Sequence, residues 1–415
     1  MALQGPIVVV AEQPSASLVQ ALTEAGAFPV VEAGWRKACD AIASIKPCAV
    51  VLAEADTPGT AVARELEERI AACDAYVPVV ARIRDGDICA VADALPVSEN
   101  APARQIVARL NAAARLRDLH ATVLGRAQDL RSERNIVAEF PTNDPVEDAT
   151  VLLVGRGRTY PGLSVAVGER MGVVGAMSVD VAARCLNARD FDGIVIGDGL
   201  SAKLVCALLA VIGQDSRFRD LPVAILGPEE HIEELPNLVH ARDPADLIER
   251  LLPLVRQHAM EARLRRMLRS IDSKGMLDPR TGLLNADAFG RELGRTLDEA
   301  GARGTPLSVA RFSFDGRLDL RATFDTARLI GRILRPADFA CRQDDGSIVA
   351  VFGNTDLRGA HVVARRLASV IRHTLFGPGP GRQSAQAHVT LATFKPGDTP
   401  ITLMARIAAP AVAAE

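Results

Sequence analysis

The side chains able to do chemistry in this chain are mostly charged, and few stand where a catalyst would need them. The seven cysteines (Cys39, Cys48, Cys73, Cys89, Cys185, Cys206 and Cys341) form no C-x-x-C pair, and no histidine is spaced to complete a zinc site with them. Reduced thiols packed as small hydrophobes are expected instead. Carboxylates gather at Asp344-Asp345-Gly346, between apolar runs, where Asp-Gly signals a hairpin turn. Solvated turn chemistry rather than a metal site is the expectation there, even with Asp315 counted in. Arg335 and Asp338 lie three residues apart, and Arg366 follows. A guanidinium fork can pair bidentately with an oxyanion. The same four-residue pattern also suits a local salt bridge of little consequence.

The charge balance narrows the partners. With 48 basic and 51 acidic residues in 415, the net charge of -3 offers no global attraction to nucleic acid or to an anionic membrane. The longest apolar run, 204–212, falls far short of the roughly 20 residues needed to span a bilayer. The opening MALQGPIVVV has no basic leader. A soluble cytoplasmic protein, without nucleic-acid binding or membrane insertion, is expected.

Behind those residues the chain repeats itself. IVVV (7–10), PCAVVLAEAD (47–56) and VPVVARI (77–83) are answered in register by VLLV (151–154), FDGIVIGDG (191–199) and LPVAILG (221–227). Continuous apolar runs alternating with helix-length segments, such as 61–73 and 181–189, predict βαβ units and two doubly wound parallel sheets. A helix is expected over 101–135 and a linker over 140–149. A second long helix, 245–271, carries Leu247, Leu251, Leu254, His258, Leu264, Met267 and Leu268 as an approximate heptad stripe. That stripe serves either a helix packed on its own domain or a stalk that pairs two chains into a homodimer. From Asp278 onward the order changes to strand (308–314), helix (322–334), hairpin around Asp345-Gly346, helix (357–375) and strand (387–394), which predicts an α+β domain.

The string DPRTGLLNADAF (278–289) resembles the D-x-L-T-G-L-x-N-R-x-x-F opening of GGDEF domains, and CRQDDGSIVAVF (341–352) falls where that family has its signature hairpin. Six residues before the hairpin, RPAD (335–338) resembles the R-x-x-D of the family's product-binding inhibitory site, and Arg366 stands where the family has a supporting arginine. The whole chain resembles receiver–receiver–GGDEF response regulators, including the degenerate cyclic di-GMP effectors of the PopA type. The resemblance implies two receiver-like, flavodoxin-like domains at 1–139 and 150–257, a helical stalk at 258–277 and a GGDEF-like domain at 278–415.

Departures from the family pattern decide what is expected of the function. Cyclases of this family hold metal ions with an Asp on the first strand and an acid at the third position of the turn; here those positions are Ser313 and Gly346. Asp344 and Asp345 replace the two glycines that admit substrate phosphates. In the receiver-like domains the magnesium-binding acidic pair is Ala11-Glu12 and then Gly155-Arg156. The phosphoacceptor position falls on Glu54 and then on Gly197, with Asp198 one residue out of register. No lysine occurs between Lys46 and Lys203, or between Lys203 and Lys274, to serve either domain. The resemblance therefore implies no catalysis and no cofactor, with cyclic di-GMP as ligand at Arg335, Asp338 and Arg366, and with protein partners recruited through the receiver-like domains at the cell pole. A scaffold that needs no ligand is the alternative, and an active diguanylate cyclase a distant third.

Overall fold

The computed structural model describes residues 3–13, 15–53, 59–73, 76–84, 89, 91–134, 143–227, 235–273, 275–314, 320–335, 337–373, 375–376, 383–384 and 386–408. The first sheet contains β1 (Leu3–Val10), β2 (Ala27–Ala33), β3 (Ala49–Leu52), β4 (Val79–Ile83) and β5 (Leu95–Ser98), all parallel, in the order β2-β1-β3-β4-β5. Helices α1 (Ala16–Glu24), α2 (Trp35–Ile45), α3 (Thr60–Ala71) and α4 (Ala103–Arg134) alternate with these strands. Along β1, Ile7 and Val9 point into one core, while Val8 and Val10 point into another with Trp35, Ile42 and Leu66. Burial on both faces is why the strand reads as an unbroken apolar run.

The second sheet repeats the plan. β6 (Thr150–Val154), β7 (Gly172–Ala176), β8 (Gly193–Ile196), β9 (Val223–Leu226) and β10 (Leu238–Ala241) are parallel in the order β10-β9-β8-β6-β7, the first sheet's order in mirror listing. Its helices are α5 (Tyr160–Gly168), α6 (Val179–Ala188), α7 (Ala202–Gln214) and α8 (Pro244–Asp272). Asp243 starts α8 by accepting the Ala245 and Asp246 N–H groups at 2.9 and 3.0 Å.

Helix α8 packs on α4 of the same chain. Leu247, Leu251 and Leu254 share one core with Ile106 and Leu110, and Leu264, Met267 and Ile271 share another with Leu116 and Val123. Leu268 lies against the second of these, and His258 faces Asp192 at 3.3 Å. The heptad stripe is thus covered within the chain and is not free to pair with a second copy. Nor is 140–149 wholly a linker: Pro145–Asp148 is a 3-10 turn that buries Val146 and Asp148.

The last sheet is antiparallel, in the order β12-β13-β11-β16, from β11 (Ser308–Phe314), β12 (Phe339–Arg342), β13 (Ile348–Phe352) and β16 (Ala387–Thr393). β14 (Leu375–Phe376) pairs with β15 (Gln383–Ser384). Helices α9 (Ala286–Arg303), α10 (Leu320–Ile333), α11 (Leu357–His373) and α12 (Pro400–Ala408) complete this part. The DPRTGLLN string is architecture. Asp278 accepts from the Arg280 N–H at 2.9 Å and the Thr281 hydroxyl at 2.8 Å, Gly282 takes φ +74°, and Asn285 caps α9 through the Ala288 N–H.

Candidate functional site

The Arg335–Asp338 turn joins α10 to β12, so the sheet fixes its far end and a helix its near end. Both Asp338 oxygens accept backbone N–H groups, Oδ2 from Arg335 and Oδ1 from Gly353, each at 3.3 Å. Burial pushes the Asp338 carboxyl above the ordinary value; those two N–H groups and the Arg335 charge offset this only in part. Asp338 is among the residues that line a cleft of about 520 Å³ between this turn and α9, whose wall carries Glu292, Arg295, Thr296 and Arg303. Arg295 is held by Glu292, with Nε 3.1 Å from Oε2, and by Glu299. Met276, Leu284 and Phe339 supply apolar lining. Such a cleft can seat a flat polar ring whose N–H edge meets Asp338.

Arg335 and Arg366 are both exposed, and neither is among the residues lining the cleft. Among the described residues, no hydrogen bond or ion pair joins Arg366 to Arg335 or to Asp338. The structure therefore places Arg335 and Asp338 in one turn and Arg366 on the outer side of α11.

At the turn between β12 and β13, Asp345 is spent internally. Its Oδ1 accepts from the Ser347 N–H at 2.9 Å and hydroxyl at 2.6 Å, and its Oδ2 pairs with Arg311. Burial raises the Asp345 carboxyl, but Ser347 and Arg311 outweigh it and leave the carboxyl below its usual value. Asp344 is exposed, and Gly346 takes φ +82° as the turn requires. Ser313 on β11 donates to the His388 carbonyl at 3.4 Å. Asp315 lies outside the described residues. Among the described residues no group of three or more His, Cys, Asp or Glu is placed to hold a metal ion, and no helix is long and apolar enough to cross a membrane.

In the first sheet Glu54 lies outside the described residues, Ala11 is buried and Glu12 exposed. In the second, Gly197 is buried, and a Cβ there would meet Leu163 at 3.0 Å. Its neighbour Asp198 clamps the loop after β6, accepting the Arg158 and Thr159 N–H groups at 3.0 and 3.2 Å and the Thr159 hydroxyl. The Thr159 hydroxyl most of all, helped by the backbone N–H groups, holds this carboxyl below the usual range against the opposing effect of burial. A Cβ on Gly157 would lie 2.1 Å from the Asp198 carboxylate carbon, so only glycine fits beneath the clamp.

Sequence reasoning missed a group of largely buried charges around α10. Asp325 on α10 accepts from Arg189 at 2.8 Å and from the Thr150 hydroxyl at 2.9 Å, and Asp148 pairs with Arg263 at 3.0 Å and faces Arg328 at 3.8 Å. The contacts of Asp325 and Arg328 join α10 to the second sheet and its helices. Asp325 and Arg328 stand three apart on a helix, but nothing in one dimension names their distant partners.

No protein-family model matches the sequence, and no curated protein matches it. Solved structures do resemble part of it. The coiled coil and GGDEF domain of DgcB from Caulobacter crescentus, solved in complex with c-di-GMP, is 21% identical over 35% of this chain and 83% of that one, at a TM-score of 0.31. The FimX GGDEF domain from Pseudomonas aeruginosa is 19% identical over 32% of this chain and 89% of its own, at 0.30. A sensory box/GGDEF family protein from Caulobacter crescentus is 22% identical over 32% and 93%, at 0.29. These neighbours are GGDEF domains covering about a third of the chain, at values too low to bear on the site.

Proposed function

We propose that this chain is a non-catalytic effector of cyclic di-GMP signalling, with the Arg335–Asp338 turn and Arg366 as its input. The observation that carries the reading is the Asp338 carboxylate, half-buried on a cleft beside an exposed Arg335, while the positions that would hold catalytic metal are Ser313 and Gly346. Asp338 has two N–H partners but about four acceptor directions, which leaves acceptor capacity for a guanine edge. Arg335 supplies the fork for guanine or phosphate, and Arg366 a second guanidinium once ligand spans the two. The two doubly wound domains, decayed as receivers at Glu54 and Gly197, act in this reading as surfaces that recruit protein partners at the cell pole.

Calorimetric titration of the full chain with cyclic di-GMP tests this. A charge-assisted hydrogen bond contributes about 1.5–3 kcal/mol, so Arg335→Ala should weaken binding by about tenfold to over a hundredfold. Arg366→Ala should weaken it less, since Arg365 lies beside it. Absence of heat at high micromolar ligand, or an unchanged Arg335→Ala titration, removes the ligand from the proposal. The second reading, a scaffold without ligand, is favoured by one observation: the cleft that Asp338 lines is lined by neither arginine.

A further inference from the structure

Helix α11 is amphipathic in an unusual way. Its inner side buries Ala360, Ala364, Leu367 and Ile371 against the antiparallel sheet. Its outer side presents Arg358, His361, Arg365, Arg366 and Arg372, all exposed, and the helix contains no acidic residue. Surface helices ordinarily intersperse glutamates at i,i+3 or i,i+4 among such arginines. Among the described residues these four arginines make no ion pair or hydrogen bond. Two apolar side chains of the helix are left to water: Val362, among these arginines, at 66% exposure, and Leu357, at the helix start, at 46%.

The spacing is regular. Arg358, Arg365 and Arg372 lie seven residues apart, so they form one row within about 40° of a line along the helix, with guanidiniums every ~10.5 Å over ~21 Å. Val362 sits beside that row, flanked by Arg358, Arg365 and Arg366.

We propose that this face of α11 is a docking site for an acidic amphipathic helix of a partner protein, one with glutamates or aspartates at i and i+7 and an aliphatic residue between them. A second α-helix laid along α11 has the same rise per residue, so carboxylates at heptad spacing meet all three arginines in register. The intervening aliphatic side chain covers Val362, which polar partners would leave wet. Duplex DNA fits less well. It presents a charge about every 1.7 Å of axis, far denser than this row, and its backbone offers nothing apolar to Val362. An anionic membrane fits less well too, because the apolar side of α11 is already packed on the sheet and only the polar side faces outward.

The test uses the full chain and a fluorescent, N-acetylated helical peptide of about three heptads, with Glu at i and i+7, Leu between, and Ala or Gln elsewhere. Fluorescence anisotropy should show saturable binding that weakens as salt is raised, because exposed pairs are screened. The triple variant Arg358→Glu, Arg365→Glu, Arg372→Glu should lose at least about tenfold in affinity, and should regain it for the peptide with Lys in place of Glu. Val362→Ser should weaken binding a few-fold without changing its salt dependence. All four positions are exposed, so circular dichroism should remain that of wild type. The proposal is overturned if the peptide does not saturate at high micromolar protein, or if the triple variant binds it as wild type does. It is also overturned if a 20-base-pair duplex or phosphatidylserine vesicles bind more tightly with the same sensitivity to the triple variant.

Discussion

A carboxylate's neighbours decide whether it can work or only hold a loop. Asp345 and Asp198 are both held ionised by hydrogen bonds, Asp345 from its own turn and from Arg311 on β11 and Asp198 from the loop after β6, and both are thereby used up. Asp338 differs, since burial favours its neutral form and the residue lines a cleft. This contrast carries a pH prediction at Asp198. Its folded carboxyl titrates below the unfolded value of about 3.9, so its contribution to stability is present above that value and is lost as pH falls through the folded one. Asp198→Asn keeps one acceptor but turns an N–H₂ toward the Arg158 and Thr159 amides, which should lower stability by about 1 kcal/mol at pH 7. Urea melts should show that deficit unchanged from pH 7 to pH 5 and shrinking below about pH 4. A deficit independent of pH down to 3 would mean that the carboxylate's charge is not what holds the loop.

At the scale of elements, apolar periodicity tells that a face is covered but not by what. The stripe on α8 is the clearest case: Leu247, Leu251, Leu254, Leu264 and Met267 are all at most 2% exposed, covered by the second sheet and by α4 of the same chain. Leu264 sits at the seam with Leu116 and Val123, so Leu264→Ala should lower stability by about 2–5 kcal/mol, a cost read by chemical denaturation. A loss under about 1 kcal/mol would mean the two helices merely touch there. The same limit explains what could be read from sequence and what could not. Strand β11 was legible at 308–314 because it alternates cleanly, and the central strands β1, β6 and β8 because both faces are buried. Edge strands were not: β2 contains Pro29 and is largely exposed, β5 contains Pro96, and β10 is a four-residue LVHA. For the site, the offset of Arg335 and Asp338 from the hairpin was legible, whereas the α9 wall opposite Asp338 depends on packing across the domain. The Arg311 contact to Asp345 and the loop that Asp198 holds are likewise made by folding, whereas the Ser347 bonds to Asp345 span only two residues.

Across the whole molecule, the antiparallel domain is fastened to the second parallel one through helix α10. Asp325 and Arg189 are only 11% and 10% exposed, Arg263 and Asp148 only 4% and 8%. Further out, Arg332 meets Asp190 at 2.9 Å with the aspartate 91% exposed. These two classes of pair should respond differently to mutation. Removing one partner of a buried pair strands the other and costs about 3–5 kcal/mol, whereas an exposed pair contributes about 0–1 kcal/mol. Asp325→Ala strands the Arg189 guanidinium, which already has one nitrogen without a hydrogen bond, and the Thr150 hydroxyl with it. The expected outcome is a domain that melts separately, with faster amide exchange in α10 and in residues 143–150, while Arg332→Ala behaves as wild type. Replacing both members, Asp325→Leu with Arg189→Leu, removes the stranded charge and should recover much of the lost coupling. If Asp325→Ala melts in one transition at the wild-type temperature, or if the double variant is worse than either single one, the buried pair does not fasten the two domains and the apolar contacts around it must.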